Sequence, residues 1–97
     1  MRTRLDWDET KRLANLAKHG LDFASAGMVL DSTYRLDILL ARNGEPRTMS
    51  FSHVMNLLAV LTVIHVDRDD AVRIISFRPA SKIETEAYHE WLAQEAD

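Results

Sequence analysis

The segment from residue 7 to residue 23 constrains the fold most, because the sequence marks both ends of one helix there. Asp6 or Asp8 can accept hydrogen bonds from the free backbone N–H groups of a first turn. Glu9 lies where the helix dipole favours negative charge. Gly20 can adopt the positive φ that commonly ends a helix. The segment therefore predicts one helix that stops at Gly20 and a second helix soon after it.

The spacing of residues along this first helix predicts two different faces. Three apolar residues recur on one side, which we expect to pack against a core: Leu13, Leu16 and Ala17. Three polar residues form a stripe on another side: Lys11, Asn15 and Lys18. Because most charged helix faces are simply solvated, the stripe alone does not indicate a binding site.

The middle of the chain predicts strands. Apolar and polar residues alternate from Tyr34 to Leu40, and this period of two indicates a half-buried strand. Asn43-Gly44 indicates a hairpin, because both residues tolerate the positive φ of a type I′ turn. A turn is expected at residues 53–56. Three further strands are predicted at these approximate positions: 46–52, 57–66 (a short buried helix being the alternative) and 72–77.

The end of the chain predicts a last helix. Ser81 and Glu84 have the spacing of a capping box, and the helix is expected to reach about Ala93. Its predicted buried side contains Ile83, Ala87 and Trp91, with Tyr88 and Leu92 beside them. Helices segregated from strands indicate an α+β fold. We therefore expect a single domain over residues 1–97. It should contain two N-terminal helices, the second at about 23–30, then a four-stranded antiparallel sheet and a C-terminal helix. Residues 3–6 could add an edge strand.

Composition excludes several classes of protein. The chain has no cysteine, which excludes disulfides, thiol nucleophiles and zinc–thiolate sites. Its histidines have neither the close spacing nor the cysteine companions of a metal site, so no metal is expected: His19, His53, His65 and His89. The N-terminus does not look like a signal peptide, and no apolar run is long enough to span a bilayer. We expect a cytoplasmic protein that does not contact membranes.

Arginines surround the predicted last hairpin. Arg73 and Arg78 are five residues apart, so strand alternation predicts that they point to opposite faces. Arg78 precedes Pro79 and the last helix, and its planar, always-charged fork suits a phosphate. The guanidinium of Arg68 suits a phosphate for the same reason. A surface salt bridge between Arg68 and a neighbouring aspartate is an equally good interpretation.

Two separated runs carry a family pattern. The first is Trp-Asp-x-x-Lys-x-x-x-Asn-x-x-Lys-His-Gly-Leu-x-Phe over residues 7–23. The second is Asp67-Arg68, then Arg-Ile-Ile-Ser-Phe-Arg-Pro-Ala over residues 73–80, then Glu84 and Tyr88. Together they resemble the signatures of the BrnT family of bacterial toxins.

This resemblance implies a compact toxin similar in fold to the RelE ribonucleases. It implies cleavage of RNA without a metal or another cofactor. It also implies a type II toxin–antitoxin pair, in which a BrnA-like ribbon-helix-helix antitoxin binds the toxin as a hetero-oligomer and represses the operon. Operator DNA would then be contacted only through the antitoxin.

RNA cleavage without a metal requires three kinds of group. The 2′-hydroxyl attacks phosphorus, so a base must remove its proton, a cation must stabilise the charged phosphate and an acid should protonate the leaving oxygen. Arg68 and Arg78 are the predicted charge stabilisers. His19 is the candidate acid or base, because imidazole is the side chain that changes charge near neutral pH. Lys18 is expected to hold phosphate, and Tyr88 to transfer a proton or stack on a base.

The sequence leaves a second function open. Residues 50–52 read Ser-Phe-Ser, where the family usually has an Ile-Gly pair. A chain that departs in this way could be a catalytically inactive interaction protein that binds the antitoxin and assists repression. Direct DNA binding by the chain itself is a weaker interpretation, because no predicted helix has a dense basic stripe.

Overall fold

The computed structural model describes residues 4–54 and 59–95. These form an α+β fold with one five-stranded sheet in the order β1-β5-β4-β3-β2. The elements are, in chain order, β1 Leu5–Trp7, α1 Glu9–His19, a 3-10 turn Phe23–Ser25, α2 Gly27–Leu30, β2 Leu36–Arg42, β3 Glu45–Val54, β4 Ala59–Asp67, β5 Val72–Pro79 and α3 Lys82–Glu95. None of the helices in these two ranges combines the length and apolar character needed to cross a membrane.

The predicted antiparallel meander is present, and the edge strand that the sequence left open at residues 3–6 forms at Leu5–Trp7. β2, β3, β4 and β5 pair antiparallel in sequence order. β1 adds a fifth strand that runs parallel to β5, with Leu5 opposite Val72 and Trp7 opposite Ile74. The sheet is therefore mixed rather than purely antiparallel. A strand of three residues contains too little alternation to be recognised with certainty from sequence, although its two apolar residues do pack against the core.

The second helix forms in two short pieces rather than one. Asp22 caps the 3-10 turn by accepting from the N–H of Ala24, and α2 follows as a single turn. Phe23, Ala26 and Val29 are fully buried. The segment thus supplies the expected apolar residues to the core without a regular helix.

The hairpin between β2 and β3 confirms its sequence signal. Asn43 has φ 54° and Gly44 has φ 77°, the backbone that a type I′ turn needs. The predicted turn at 53–56 is wrong in its first half, because His53 and Val54 continue β3 and pair with Val60 and Ala59. The rest of that turn, and residues 57 and 58 of the predicted strand, lie outside the described residues.

The sheet carries a hydrophobic core on each face. The larger one packs residues from the 3-10 turn and α2 against β4 and β5, and includes Phe23, Val63 and Phe77. The smaller one packs Tyr88 of α3 against Phe51 and its neighbours. The five strands therefore form the central layer, which is why the long apolar run in β4 is buried on both sides.

The structure shows which faces of α1 and α3 pack against the sheet, and it corrects part of what the sequence predicts. In α1, Leu13 is 53% exposed and Leu16 37% exposed, whereas Asn15 is only 9% exposed. In α3, Ile83 is 80% exposed and Tyr88 is the buried residue. α1 therefore packs through a different face from the one that its apolar residues predict, whereas α3 packs through three of the predicted residues, Tyr88, Trp91 and Leu92.

Candidate functional site

Arg78 lies at the end of β5, where the sheet meets the start of α3. Its guanidinium forms a two-point ion pair with Glu84, with Nη1–Oε1 2.7 Å and Nη2–Oε2 2.9 Å. The hydrogen bond from Arg78 lowers the pKa of the Glu84 carboxyl, and the same pair raises the pKa of Arg78. Arg78 therefore stays charged, but part of its fork is already occupied.

Glu84 also has the second role that the sequence predicts. The N–H of Glu84 donates to Ser81 Oγ at 3.2 Å, and the N–H of Ser81 donates back to Glu84 Oε1 at 2.8 Å. This confirms the capping box. One carboxylate thus caps α3 and fixes the Arg78 side chain beside it.

Arg73 lies on the same face of the sheet as Arg78, which corrects the prediction that they point apart. Arg73 pairs with Val66 and Arg78 with Thr62, and the pairing register shifts between Ile64 and His65. A bulge adds one residue to one strand and so restores the alternation between the two arginines. Arg73 Nη1 donates to Asp6 at 2.7 Å, and this hydrogen bond lowers the pKa of Asp6. Arg73 thereby joins β5 to β1.

Arg68 lies at the opposite end of β5 from Arg78. It begins the turn between β4 and β5, and its N–H donates to the carbonyl of Ala71 at 2.9 Å. Thr62, the partner of Arg78, and Asp67, the residue before Arg68, are five residues apart on β4, which corresponds to roughly 17 Å of strand. The structure therefore separates the two arginines instead of bringing them to one point.

α1 runs along β5 in the direction of the strand end that carries Arg78. α1 begins after Trp7, which is opposite Ile74, and its buried Asn15 bonds to both backbone groups of Phe77. The helix thus runs along β5 towards the Arg78 end. His19 lies one turn beyond Asn15, about 6 Å further along the axis. Lys18 is exposed and His19 is partly buried, so both are positioned at this end of the sheet.

Tyr88 has a position that suits packing better than proton transfer. It is 1% exposed, and its hydroxyl donates to the carbonyl of Tyr34 at 2.8 Å. Its ring also contacts Trp91, with ring centroids 5.8 Å apart. The hydroxyl thereby joins α3 to the segment before β2.

A shallow hollow adjoins the Arg78 end of the sheet. It encloses about 250 Å³, slightly less than the sites that hold drug-sized ligands. Seven residues line it: His53, Ala59, Val60, Pro79, Ala80, Thr85 and His89. Over residues 4–54 and 59–95, no group of three or more metal-binding side chains comes together.

Ser50, His65 and Asp67 form a second polar cluster that sequence reasoning missed. Ser50 Oγ lies 2.7 Å from His65 Nε2, and His65 Nδ1 lies 2.6 Å from Asp67 Oδ1. The connectivity is that of a serine protease triad. However, Ser50 is 0% exposed and its hydroxyl donates to Asp37 at 2.7 Å. A substrate cannot reach it, so the cluster is not a nucleophilic site.

Comparison with known protein families places the chain in one of them. Residues 7–84 match the family model described as the ribonuclease toxin, BrnT, of type II toxin-antitoxin systems. The match covers most of the chain, so the chain belongs to the BrnT family of ribonuclease toxins, whose partner is an antitoxin. No curated protein matches the chain.

Proposed function

We propose that the chain cleaves RNA without a metal, in the cytoplasm, at a centre formed by Arg78, Lys18 and His19. The observation that supports this proposal is the attachment of α1: Asn15 bonds to Phe77, the residue before Arg78, so the helix runs along β5 towards that end of the sheet. This end offers an always-charged guanidinium, an ammonium and an imidazole.

Each group has a role in the reaction. The 2′-hydroxyl attacks phosphorus and negative charge develops on the phosphate oxygens, which Arg78 stabilises through the N–H groups that Glu84 does not occupy. Lys18 binds a phosphate as a point charge. His19 either removes the proton from the 2′-hydroxyl or protonates the leaving oxygen as the phosphorus–oxygen bond breaks, and water takes the other proton transfer. Tyr88 keeps only a positioning part, because its buried hydroxyl holds α3 in place.

Arg68 binds a different part of the RNA. About 17 Å of strand separates it from the Arg78 position, and Glu84 holds the Arg78 guanidinium at its own end of the sheet. We assign Arg68 to a second phosphate along the strand. Its removal should then weaken binding more than it slows the chemical step.

The antitoxin is proposed to be a ribbon-helix-helix protein that covers the exposed face of α1. Leu13, Leu16 and Ala17 lie on one side of this helix, and all three are exposed. Since Lys18 follows on the same helix, an antitoxin seated there would also block the RNA. Operator DNA would be contacted by the antitoxin alone.

The experiment is cleavage of RNA by the purified chain, with melting temperatures for every variant. We expect Arg78→Ala to lower kcat by on the order of 10²–10³, and Arg78→Lys to recover little because the fork is lost. His19→Ala should also lower kcat. Arg68→Ala should mainly raise KM, and EDTA should have no effect.

Arg73→Ala is the matched control, because Arg73 lies on the same strand and face as Arg78 but binds Asp6. Normal cleavage by Arg78→Ala would refute the proposed centre, and loss of cleavage in EDTA would refute metal independence. One observation favours a second function: Glu84 already occupies part of the Arg78 fork. Absence of cleavage by the wild type, with antitoxin binding intact, would identify an interaction protein.

A further inference from the structure

A continuous chain of polar contacts crosses the sheet beneath α2 and ends at the turn that carries Arg68. Arg35 donates twice to the carboxylate of Asp37, at 2.9 Å each. Ser50 donates to the same carboxylate at 2.7 Å. His65 then bridges Ser50 Oγ and Asp67 Oδ1 at 2.7 and 2.6 Å. The chain thus joins β2, β3 and β4 through their side chains.

Counting donors in this chain determines the hydrogens on His65. A serine hydroxyl has one proton, and the Ser50 proton goes to Asp37. His65 Nε2 must then donate to Ser50 Oγ. Asp67 has an acceptor-only carboxylate when ionised, so His65 Nδ1 donates as well. In this arrangement both ring nitrogens act as donors, and the ring bridges Ser50 and Asp67.

The surroundings of Asp37 explain why it accepts these hydrogen bonds. Burial alone would raise the pKa of this carboxyl, but the hydrogen bonds from Arg35 and Ser50, with the charges of Arg35 and His65, outweigh burial and lower it. Asp37 is thus an ionised acceptor. The groups that face His65 are charged or polar on β2, β3 and β4, whereas its partner on β5 is the apolar Ile74.

The location of His65 connects this cluster to Arg68. His65 lies opposite a bulge in β5: Ile64 pairs with Ser76 and His65 with Ile74, so Ile75 is the extra residue. Asp67 is the last residue of β4. The next residue, Arg68, closes the turn with its backbone N–H on Ala71. Because the His65 ring is hydrogen-bonded on both sides, it fixes the end of β4, which Arg68 directly follows.

We propose that His65 is a positioning residue which, with hydrogen on both ring nitrogens, holds Asp67 and thereby orients Arg68 towards RNA. Its partner Ser50 belongs to the Ser-Phe-Ser run that departs from the family pattern. Ser50, one of the residues that depart from this pattern, is thus part of the same polar cluster as His65. The part that concerns RNA rests on the proposed function of Arg68, whereas the hydrogen-bond arrangement does not.

The first test is nitrogen-15 NMR of the histidine side chains at neutral pH. We expect two ring N–H signals for His65 in the wild type, and loss of the Nε2–H signal from slow exchange in Ser50→Ala. The matched control is Ser52→Ala: Ser52 is also fully buried on β3 but bonds to Ser32 instead. A single ring N–H in the wild type, or the same spectrum in Ser50→Ala, would overturn the proposal.

The second test concerns the turn and RNA binding. Amide exchange at Arg68 should accelerate about tenfold in Ser50→Ala and His65→Phe, because the turn is no longer held, and remain unchanged in Ser52→Ala. The KM for RNA should rise by on the order of tenfold in Ser50→Ala, in line with the cost of a misplaced contact. This rise should disappear in the Arg68→Ala background, since the two changes act through one side chain.

The outcomes separate the two proposals. Unchanged exchange at Arg68 in Ser50→Ala and His65→Phe would refute the positioning role whatever the kinetics. Faster exchange together with an unchanged KM in both Ser50→Ala and Arg68→Ala would refute the RNA role of Arg68 and, with it, the functional half of this inference. Additive KM effects in the double variant would show that Ser50 acts by another route and would also refute it.

Discussion

Asn15 offers the sharpest test of how this fold is held together. Its side-chain amide donates to the carbonyls of Phe77 and Leu21 at 2.7 and 3.0 Å, and its oxygen accepts from the N–H of Phe77 at 3.2 Å. β1 pairs with β5 only as far as Ile74, so Phe77 has no strand partner on that side. The side chain of Asn15 therefore replaces a missing residue of β1.

The cost of removing this side chain follows from the three hydrogen bonds. Asn15→Ala leaves two buried backbone groups of Phe77 and one carbonyl of Leu21 without a partner, at about 1 kcal/mol or more each. We expect a loss of about 3 kcal/mol in the free energy of unfolding, a large part of the total for a domain of this size. That loss corresponds to a fall of roughly 12–24 °C in melting temperature.

Urea and thermal unfolding measure this loss directly. Asn15→Asp should be at least as unstable as Asn15→Ala, because a carboxylate faces two carbonyl oxygens without a donor. Lys11→Ala is the control, since Lys11 is exposed on the same helix and its removal should change stability by less than about 0.5 kcal/mol. A loss below about 1 kcal/mol in Asn15→Ala would refute the reasoning.

Three further outcomes are expected. Ser81→Ala should destabilise the chain by about 1 kcal/mol in urea, because it removes the N-terminal cap of α3; an unchanged midpoint would contradict this. The pKa of Glu84 is lowered, so its contribution to folding stability is fully present above the ordinary pKa of 4.5 and is lost as the pH falls through the lowered pKa. The free energy of unfolding should therefore decline below about pH 4.5, and less steeply in Glu84→Gln. Leu16→Glu should weaken antitoxin binding by on the order of tenfold or more without lowering the melting temperature. Leu39→Glu, which alters a side chain 80% exposed on the opposite edge strand, should bind normally.

The elements predicted best are those with local signals. Asp8 and Gly20 bound α1 as the sequence indicates, with Asp8 accepting from the N–H of Lys11 and Gly20 at φ 70°. The Asn43-Gly44 turn and the Ser81 cap are likewise formed by neighbouring residues alone. Each of these features depends on the chemistry of a few adjacent side chains, so no knowledge of the tertiary fold was needed.

The features that sequence reasoning missed depend on distant residues. The orientation of α1 follows from Asn15 reaching Phe77, sixty-two positions away, and this polar contact outweighs the apolar spacing of Leu13 and Leu16. The bulge opposite His65 places Arg73 and Arg78 on the same face of the sheet. Their separation of five residues in the sequence predicts opposite faces. Nothing in the one-dimensional pattern separates a serine paired with a histidine fifteen positions away from a serine on a surface.

The way in which α1 is attached connects stability, RNA cleavage and neutralisation. Asn15 is its only buried residue, and Arg12 joins the first half of the helix to Asp22, beyond its C-terminal end, at 3.0 Å. Because polar contacts hold the helix, its apolar residues need not face the core and remain exposed beside Lys18. We therefore expect the antitoxin to stabilise α1 and to cover the RNA site in one step, since both effects act on the same helix.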